Sequence, residues 1–326
     1  MLVRFAAALA TVPLGAVAVV LALLLIQRTP GPTSAAPSPT APPAAPAAST
    51  RPAPASAPSG FPAPPAGAVV FSRQQGRDAL ALAVLPHGSR LLLQASVLGP
   101  EGHGVKGLAV RFGVAGRASR AVACGAGCYR ATLTSRGRPR EVVVDVRGGG
   151  APAHWRVALP RQWPAPDATK LMAQAGAAWR SLRSLSYLDR LAAGPGQEVT
   201  TRWRIVAPDR VAYDVSSGGS AVIIGSRRWD RPQNGKWIES LQEPPLQQPL
   251  PFWAAVSNAH LLGSGRLRGR PVWDVSFFDP VTPAWFDVRV DKATHRVLDL
   301  RMITTAHFMH DTYGSFNGPV EIEPPR

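Results

Sequence analysis

The sequence predicts a mainly β protein, with a β-sandwich and then an antiparallel sheet covered by a helix, behind a single N-terminal transmembrane helix. Three observations support this fold class. Residues 5–26 carry no charge, short runs of alternating apolar residues recur between turn signals over residues 68–160, and a helical stripe precedes a second set of such runs over residues 161–326. A period of two is typical of half-buried strands, and steps of three and four are typical of a helix.

Composition excludes several classes of protein. The chain has 326 residues, 45% of them hydrophobic, so it is not collagen-like, wholly disordered or a small disulfide scaffold. The formal net charge is +16, and 32 of the 36 basic residues are arginine, which indicates a compositional bias rather than a nucleic-acid surface. An excess of this size still predicts attraction to anionic surfaces that salt weakens. We therefore expect no nucleic-acid partner.

The uncharged run at residues 5–26 lies between Arg4 and Arg28. At about 1.5 Å per residue it is long enough to cross a bilayer core of about 30 Å. A cleavable signal peptide is the alternative, although its apolar region normally spans about 7–15 residues. Residues 1–28 are thus predicted to be a transmembrane anchor or a signal peptide. In the first case the protein is a single-pass protein of the cell membrane, with its folded domains on the extracytoplasmic side.

Residues 29–67 consist almost entirely of Pro, Ala, Ser and Thr, with Arg51 as the only charge. Such a segment cannot form a packed core and is predicted to be a disordered stalk with polyproline II character. At about 3.1 Å per residue, a fully extended stalk would reach on the order of 100 Å.

Residues 68–160 contain seven short runs that alternate between apolar and polar residues. The runs are 69–71, 79–85, 90–98, 108–114, 129–133, 141–146 and 155–159. Seven strands separated by Gly and Pro predict a β-sandwich. The valines of 141–146 occupy both parities, which predicts a central strand covered on both faces.

Cys124 and Cys128 flank two glycines in this region. Glycines allow a tight turn, so a local disulfide is the simplest interpretation. The alternative is a soft-metal site, because paired thiolates suit Cu(I) or Zn. No neighbouring residues have the spacing of the two further ligands that tetrahedral zinc requires.

The second region, residues 161–326, begins with a helical pattern for which Asp167 is the predicted N-cap. The apolar positions of the helix are Leu171, Ala175, Ala178, Leu182 and Leu185. The strands predicted after it are 199–206, 210–215, 221–225, 236–240, 271–278, 284–290 and 296–304. Turn signals at 233–235 and 279–283 indicate hairpins, so the sheet is predicted to be antiparallel.

Alternation places one set of large apolar residues on a common side of this sheet. They are Trp203, Ile205, Val211, Tyr213, Ile223, Trp273, Val275, Phe277, Phe286, Val288, Leu300 and Met302. One helix cannot cover so wide a face. Either a second helix within 252–262 completes an ordinary core, which the pattern alone favours, or the curved sheet keeps a hydrophobic hollow for a ligand.

Four segments of the first region carry a resemblance to a known family. They are Leu85-Pro86, Gly99-Pro100-Glu101-Gly102, Gly107-Leu108-Ala109-Val110-Arg111-Phe112 and Cys124-Gly125-Ala126-Gly127-Cys128-Tyr129-Arg130. They resemble the immunoglobulin-like, YtkA-like module found beside copper-resistance membrane proteins of the CopC/CopD type. The resemblance implies an immunoglobulin-like sandwich, with a copper-handling membrane protein as an alternative partner.

The second region resembles lipoprotein-carrier domains of the LolA and LppX type. The matching segments are 179–185, 203–213, Ile223-Ile224-Gly225 with Trp229, and 286–291 with its hairpin to Leu298. The resemblance implies an unclosed antiparallel half-barrel with a helical lid that holds acyl chains or a lipidated partner. The twelve apolar residues above would then line its hydrophobic cavity. The anchor and stalk depart from the secreted carriers and favour local capture or presentation of a lipid.

The sequence contains no recognisable catalytic motif for hydrolysis or nucleotide chemistry, so we predict neither an enzyme nor a cofactor. Residues 302–311 hold the only cluster of metal-ligating types. On a continuous strand His307 and Met309 would share one face while Met302 and His310 share the other, so only two ligands converge. A packed Met and a hydrogen-bonded His are the preferred interpretation, and a turn near residue 306 would remove the parity argument.

Together these observations predict a membrane-anchored, non-enzymatic extracytoplasmic protein that binds a lipid or lipidated ligand in a hydrophobic half-barrel. One alternative is a copper-homeostasis accessory protein that binds copper through His307 and Met309 or through the cysteines. A second alternative is a structural or protein-interaction module whose half-barrel is filled by its own side chains.

Overall fold

The computed structural model describes residues 62–75, 77–135, 138–148, 152–192, 198–247, 251–305 and 307–326. The predicted transmembrane helix or signal peptide and most of the predicted stalk lie outside these residues. Within the described ranges, none of the helices has the length and hydropathy needed to cross a bilayer.

The described chain is mainly β. The N-terminal unit contains β1 (Val69–Gln75), β2 (Asp78–His87), β3 (Arg90–Leu98), β4 (Ala109–Val114), β5 (Arg117–Arg120), β6 (Val122–Gly125), β7 (Cys128–Thr134), β8 (Glu141–Arg147) and β9 (Ala153–Ala158). The C-terminal unit begins with α1 (Thr169–Arg180), β10 (Ser184–Ala192), β11 (Glu198–Val206), β12 (Arg210–Val215), β13 (Ser220–Ile224) and β14 (Arg227–Arg231). It continues with β15 (Ile238–Leu241), β16 (Ser257–Leu267), β17 (Arg270–Asp279), β18 (Ala284–Asp291), β19 (Val297–Thr304) and β20 (His307–Gly314).

The N-terminal unit consists of two antiparallel sheets around one apolar core. Their orders are β1-β2-β3-β7-β6 and β5-β4-β8-β9, and residues of both sheets share one buried cluster. All seven predicted strands are present. The prediction missed β5 and β6, which are four residues each and mostly exposed, so they lack an apolar pattern. The immunoglobulin-like assignment remains a prediction.

Strand β8 is central in its sheet, as predicted, but it is not covered on both faces. Val142, Val144 and Val146 are buried, whereas Val143 is only half-buried. One face of β8 lies in the core and the other lies near solvent. β-branched residues favour an extended strand whether or not the face is buried. Valines on both faces therefore did not require that both faces be covered.

Strand β2 is buried on both faces over most of its length. Leu80, Leu82 and Val84 point into the core of the N-terminal unit. The alternate residues Ala79, Ala81 and Ala83 belong to a different buried cluster, which includes residues of the C-terminal unit. The small alanine side chains therefore form a face against which the second unit packs.

The C-terminal unit is built on one open antiparallel sheet of eleven strands. Its order is β15-β14-β13-β12-β11-β10-β20-β19-β18-β17-β16, so β15 and β16 are the edges. The first and last strands of the unit, β10 and β20, pair at its centre. That pairing joins two ladders of hairpin-connected neighbours into a single sheet.

The helix is shorter than predicted. It ends at Arg180, and the amide of Leu182 donates to the carbonyl of Trp179 in a tighter last turn. Leu185, predicted to continue the helical stripe, instead lies in β10 and faces the core. Asp167 is not the N-cap residue, which is Ala168, although its carboxylate accepts the amide of Thr169 at 3.0 Å.

The prediction of a second helix within 252–262 is wrong. Residues 257–267 form the edge strand β16, which pairs with β17 through two irregularities in register. Asn258 has a φ of 51°, a left-handed conformation that interrupts any helix at this point. Pairing with β17 satisfies the backbone groups of the segment, so its apolar residues did not require helical packing.

Candidate functional site

One face of the eleven-stranded sheet gathers the predicted cavity residues, and we refer to it as the interior face. All twelve belong to one apolar cluster, eleven of them buried and Trp273 partly buried at its margin. Cross-strand neighbours explain this convergence: Trp203 lies opposite Tyr213, and Phe277 lies opposite Phe286. Alternation along each strand therefore predicted the interior face correctly, while its role as a ligand site remains a prediction.

Helix α1 and residues 251–256 lie over the interior face, and together we refer to them as the lid. Trp179 of α1 makes edge contacts with Phe252 and Trp253, with ring centroids 6.4 and 6.1 Å apart. Phe252 also meets Tyr187 at 5.9 Å, and Trp253 meets Phe277 at 5.9 Å. The lid thus seals the sheet through aromatic rings, and part of it is an irregular segment rather than the second helix that was predicted.

A buried carboxylate pair lies in the middle of this apolar face. Asp189 of β10 and Asp311 of β20 are directly opposite in register, and both are almost fully buried. Tyr313 donates its hydroxyl to Asp311 at 2.5 Å, and the Trp203 indole donates to Asp189 at 3.4 Å. The other oxygen of each carboxyl group, Oδ1, is buried and has no hydrogen-bond partner among the described residues.

Burial sets the protonation of the pair. Desolvation raises the pKa of Asp189 to about 6 and raises the pKa of Asp311 well above its usual range, where the neighbouring Asp189 charge adds to the effect. Desolvation, followed by the charge on Asp311, also raises the pKa values of Tyr187 and Tyr313. Burial therefore favours the neutral form of both carboxyl groups, and more strongly for Asp311 than for Asp189.

Thr201 of β11 adds a third polar side chain to this group. It lies opposite Asp189 in register and is fully buried. Its hydroxyl has no hydrogen-bond partner among the residues that the structure describes. An unpartnered buried hydroxyl is costly, so this position favours a polar atom from outside the described chain.

The sequence prediction missed Asp189 and Asp311 because it missed their strands, whereas Thr201 lies in the predicted strand 199–206. Residues Leu185, Tyr187, Asp189 and Leu191 alternate inward, as do Met309, Asp311 and Tyr313. Each run carries the period of two that indicates a strand. Extending the helix to Leu185 concealed the first run, and treating residues 302–311 as one strand concealed the second.

The parity argument for the methionine and histidine cluster is also wrong. Thr304 pairs with His307 across a hairpin, so Met302 and Met309 lie opposite each other and both face the interior. His310 lies on the other face, where it pairs with Asp299 at 3.0 Å. Within the described ranges no three His, Cys, Asp or Glu side chains are grouped as a metal site would require.

The predicted disulfide is present. Cys124 and Cys128 are bonded to each other across the β6–β7 turn. Because both sulfurs are used in this bond, they offer no thiolates to a metal. The copper alternative therefore loses its cysteine ligands.

Comparison with known proteins gives distant structural likenesses. No protein-family model and no curated protein matches the sequence. Similar solved structures include the lipoprotein LppX of Mycobacterium tuberculosis, with 11% identity, 47% of this chain and 97% of that chain covered, and a TM-score of 0.37. LprF of Mycobacterium bovis has 11% identity, coverage of 49% and 99%, and a TM-score of 0.38. A LolA superfamily protein of Nitrosomonas europaea has 10% identity, coverage of 48% and 96%, and a TM-score of 0.23.

Values this low do not assign a ligand to the chain. The function must therefore be argued from the interior face, the lid and the buried polar group themselves.

Proposed function

We propose that the C-terminal unit is a non-catalytic binding module that holds an apolar ligand, a lipid or a lipidated chain, between the interior face and the lid. The observation that carries the proposal is a continuous aromatic and aliphatic face with a buried polar group at its centre. A core that served stability alone would do better without Asp189, Asp311 and Thr201, because buried polar groups cost free energy unless they are fully paired. An amphiphile would satisfy both parts of this surface.

The lid must move for such a ligand to enter, because its rings contact those of the interior face. Residues 251–256 are the best candidate for this movement. They are attached through the Phe252 and Trp253 rings and through the Ala254 amide, which donates to Asp279 at 2.7 Å. A small number of contacts therefore controls access to a large apolar face.

A photoreactive lipid tests this proposal. Full-length protein in vesicles that contain a phosphatidylcholine with a diazirine on its acyl chain is irradiated, and the adducts are mapped by mass spectrometry. We expect adducts in 199–206, 271–279 and 251–256, with a higher yield in Trp253→Ala because the lid is weakened. The control is Trp229→Ala, a buried tryptophan in a cluster on the other face of the sheet, which leaves the yield unchanged. Adducts confined to residues 5–26 would instead support the structural-module alternative.

We also propose that the folded units lie outside the cytoplasm, held at the cell membrane by residues 5–26 and separated from it by the stalk. The Cys124–Cys128 bond supports this location, because disulfides persist in oxidising compartments. The test is thiol alkylation of freshly quenched cells without reductant. Both cysteines are expected to resist alkylation, and modification of either one would contradict the location.

A further inference from the structure

A second concave site lies on the opposite face of the sheet, where the two units meet. It is a pocket of about 290 Å³ whose wall from the N-terminal unit is the end of β1, including Arg73 and Gln74. Its floor comes from β10, β19 and β20 and includes Arg190, Arg301 and His310. The pocket is therefore separated from the interior face by the thickness of the sheet.

The floor of the pocket carries a row of basic side chains. Arg190 lies directly opposite His310, and His310 lies directly opposite Arg301, so the three occupy adjacent strands at the same level. Like charges directly opposite each other across strands destabilise a sheet. The arrangement thus costs stability unless acidic groups compensate it.

Three carboxylates are close to this row, and each is already engaged. Asp287, which is half-buried and directly opposite Arg301 in register, forms an ion pair with Arg73. Asp299 pairs with His310, and Glu198 on the rim accepts a hydrogen bond from Gln74 at 3.4 Å. The charges of Asp287 and Asp299 also act on Arg301 without a hydrogen bond or ion pair to it.

The two arginines of the row keep free donors. Within the described part of the chain, neither Arg190 nor Arg301 forms a hydrogen bond or a salt bridge, and both are exposed. A guanidinium presents its N–H donors in a planar fork that fits the oxygens of phosphate in pairs. Two such forks therefore reach a pocket that Arg73 bounds from the other unit.

We propose that this pocket binds a phosphate group, held by Arg190 and Arg301 and bounded by Arg73. Ile303 and Phe308 supply an apolar part of the lining, which suits a phosphate ester better than a bare ion. Such a group is available from a phospholipid headgroup or from a small soluble phosphate ester. Because residues of both units line the pocket, an occupant also strengthens their association.

The test uses the full-length protein in a neutral detergent, titrated at constant ionic strength with inorganic phosphate, glycerol 3-phosphate and dihexanoyl phosphatidic acid. Saturable binding is expected, with a Kd at least about tenfold higher in Arg190→Gln and in Arg301→Gln. The matched control is Arg202→Gln. Arg202 is an exposed arginine of β11 on the face of the sheet that carries the pocket, but it does not line the pocket. The Kd of this variant is expected to stay within about twofold of that of the unmodified protein.

Stability without phosphate provides the readout that a structural arginine would not give. Because the basic side chains of the row repel one another, Arg190→Gln and Arg301→Gln are expected to have a Tm no lower than that of the unmodified protein in phosphate-free, low-salt buffer. Added phosphate is expected to raise the Tm of the unmodified protein but not that of these two variants. Lysine at either position keeps the charge and retains weaker binding. A Tm rise with phosphate that is equal in all three glutamine variants, or no saturable binding by the unmodified protein, overturns the proposal.

The three ligands distinguish the source of the phosphate. Tighter binding of dihexanoyl phosphatidic acid than of glycerol 3-phosphate assigns the pocket to a lipid headgroup. Equal affinities assign it to a soluble phosphate ester.

Discussion

Asp189 and Asp311 place ionisable groups in a position where neither can reach water. They are directly opposite in register on β10 and β20, and they accept hydrogen bonds from the Tyr313 hydroxyl and the Trp203 indole. This arrangement keeps a net negative charge in an apolar interior at neutral pH. The charge must make the folded state less stable as the pH rises.

The sign of this effect follows from the pKa of Asp189. Its value of about 6 in the folded protein exceeds 3.8, so the folded state retains a proton that the unfolded chain releases. The free energy of unfolding therefore falls as the pH rises from about 4 to about 6. Asp189→Asn removes this loss. The free energy of unfolding of the variant minus that of the unmodified protein is therefore expected to be about 2 kcal/mol larger at pH 7.5 than at pH 4.

Urea unfolding of both proteins at the two pH values measures this difference. Asp274→Asn is the control for the substitution itself, because Asp274 is a partly exposed aspartate on β17, and it should change the free energy of unfolding at pH 7.5 by less than about 0.5 kcal/mol. If the difference in stability between Asp189→Asn and the unmodified protein is the same at both pH values, the negative charge at this position is compensated and the proposed effect is absent.

At the scale of elements, the sequence predicted strands well where turns bound them and poorly where a distant partner defines them. The seven strands of the N-terminal unit lie between Gly and Pro signals, and all seven are present. Turn signals also follow β10, at Gly194-Pro195-Gly196, and end β20, at Gly314, but the pairing of these two strands joins residues more than a hundred positions apart. The interior face could therefore be predicted from alternation within strands, whereas the acid pair could not, since it depends on that long-range register.

The irregular lid segment is the element whose stability should control access to the interior face. Asp279 holds it with one carboxylate: one oxygen accepts the Ala254 amide at 2.7 Å, and the other accepts the Val281 amide at 2.9 Å. Asp279→Ala leaves both amides without an acceptor and should lower the free energy of unfolding by about 1–3 kcal/mol. It should also increase acrylamide quenching of tryptophan fluorescence, as Trp253 becomes accessible.

The control for this prediction is Asp274→Ala on the same strand. Asp274 is partly exposed and its ion pair with Arg289 is long, at 3.5 Å, so the change in stability should stay within about 0.5 kcal/mol. A loss of stability in Asp279→Ala without additional quenching would mean that this carboxylate stabilises the β17–β18 turn but does not hold the lid.

At the scale of the whole molecule, the junction between the units determines how they behave together. The alanine face of β2 and part of β1 pack against Phe278, Trp285 and Ile303 on the outer face of the C-terminal sheet. Ser72 donates its hydroxyl to the Trp285 carbonyl at 2.9 Å, and Arg73 reaches Asp287. This combination of apolar packing and buried polar contacts is typical of units that unfold together.

Two adjacent residues of β18 allow contacts between the units to be tested separately from contacts within the C-terminal unit. Trp285 and Phe286 are both fully buried, but Trp285 lies in the junction cluster and Phe286 lies in the interior cluster. Replacing either with alanine should cost about 3–5 kcal/mol, because each leaves a large cavity. Only Trp285→Ala should divide unfolding into two calorimetric transitions, since it removes contacts that the units share, whereas Phe286→Ala should lower the Tm of one joint transition. A single transition in Trp285→Ala would mean that the coupling between the units does not depend on Trp285. Two transitions in Phe286→Ala would mean that the junction does not couple the units.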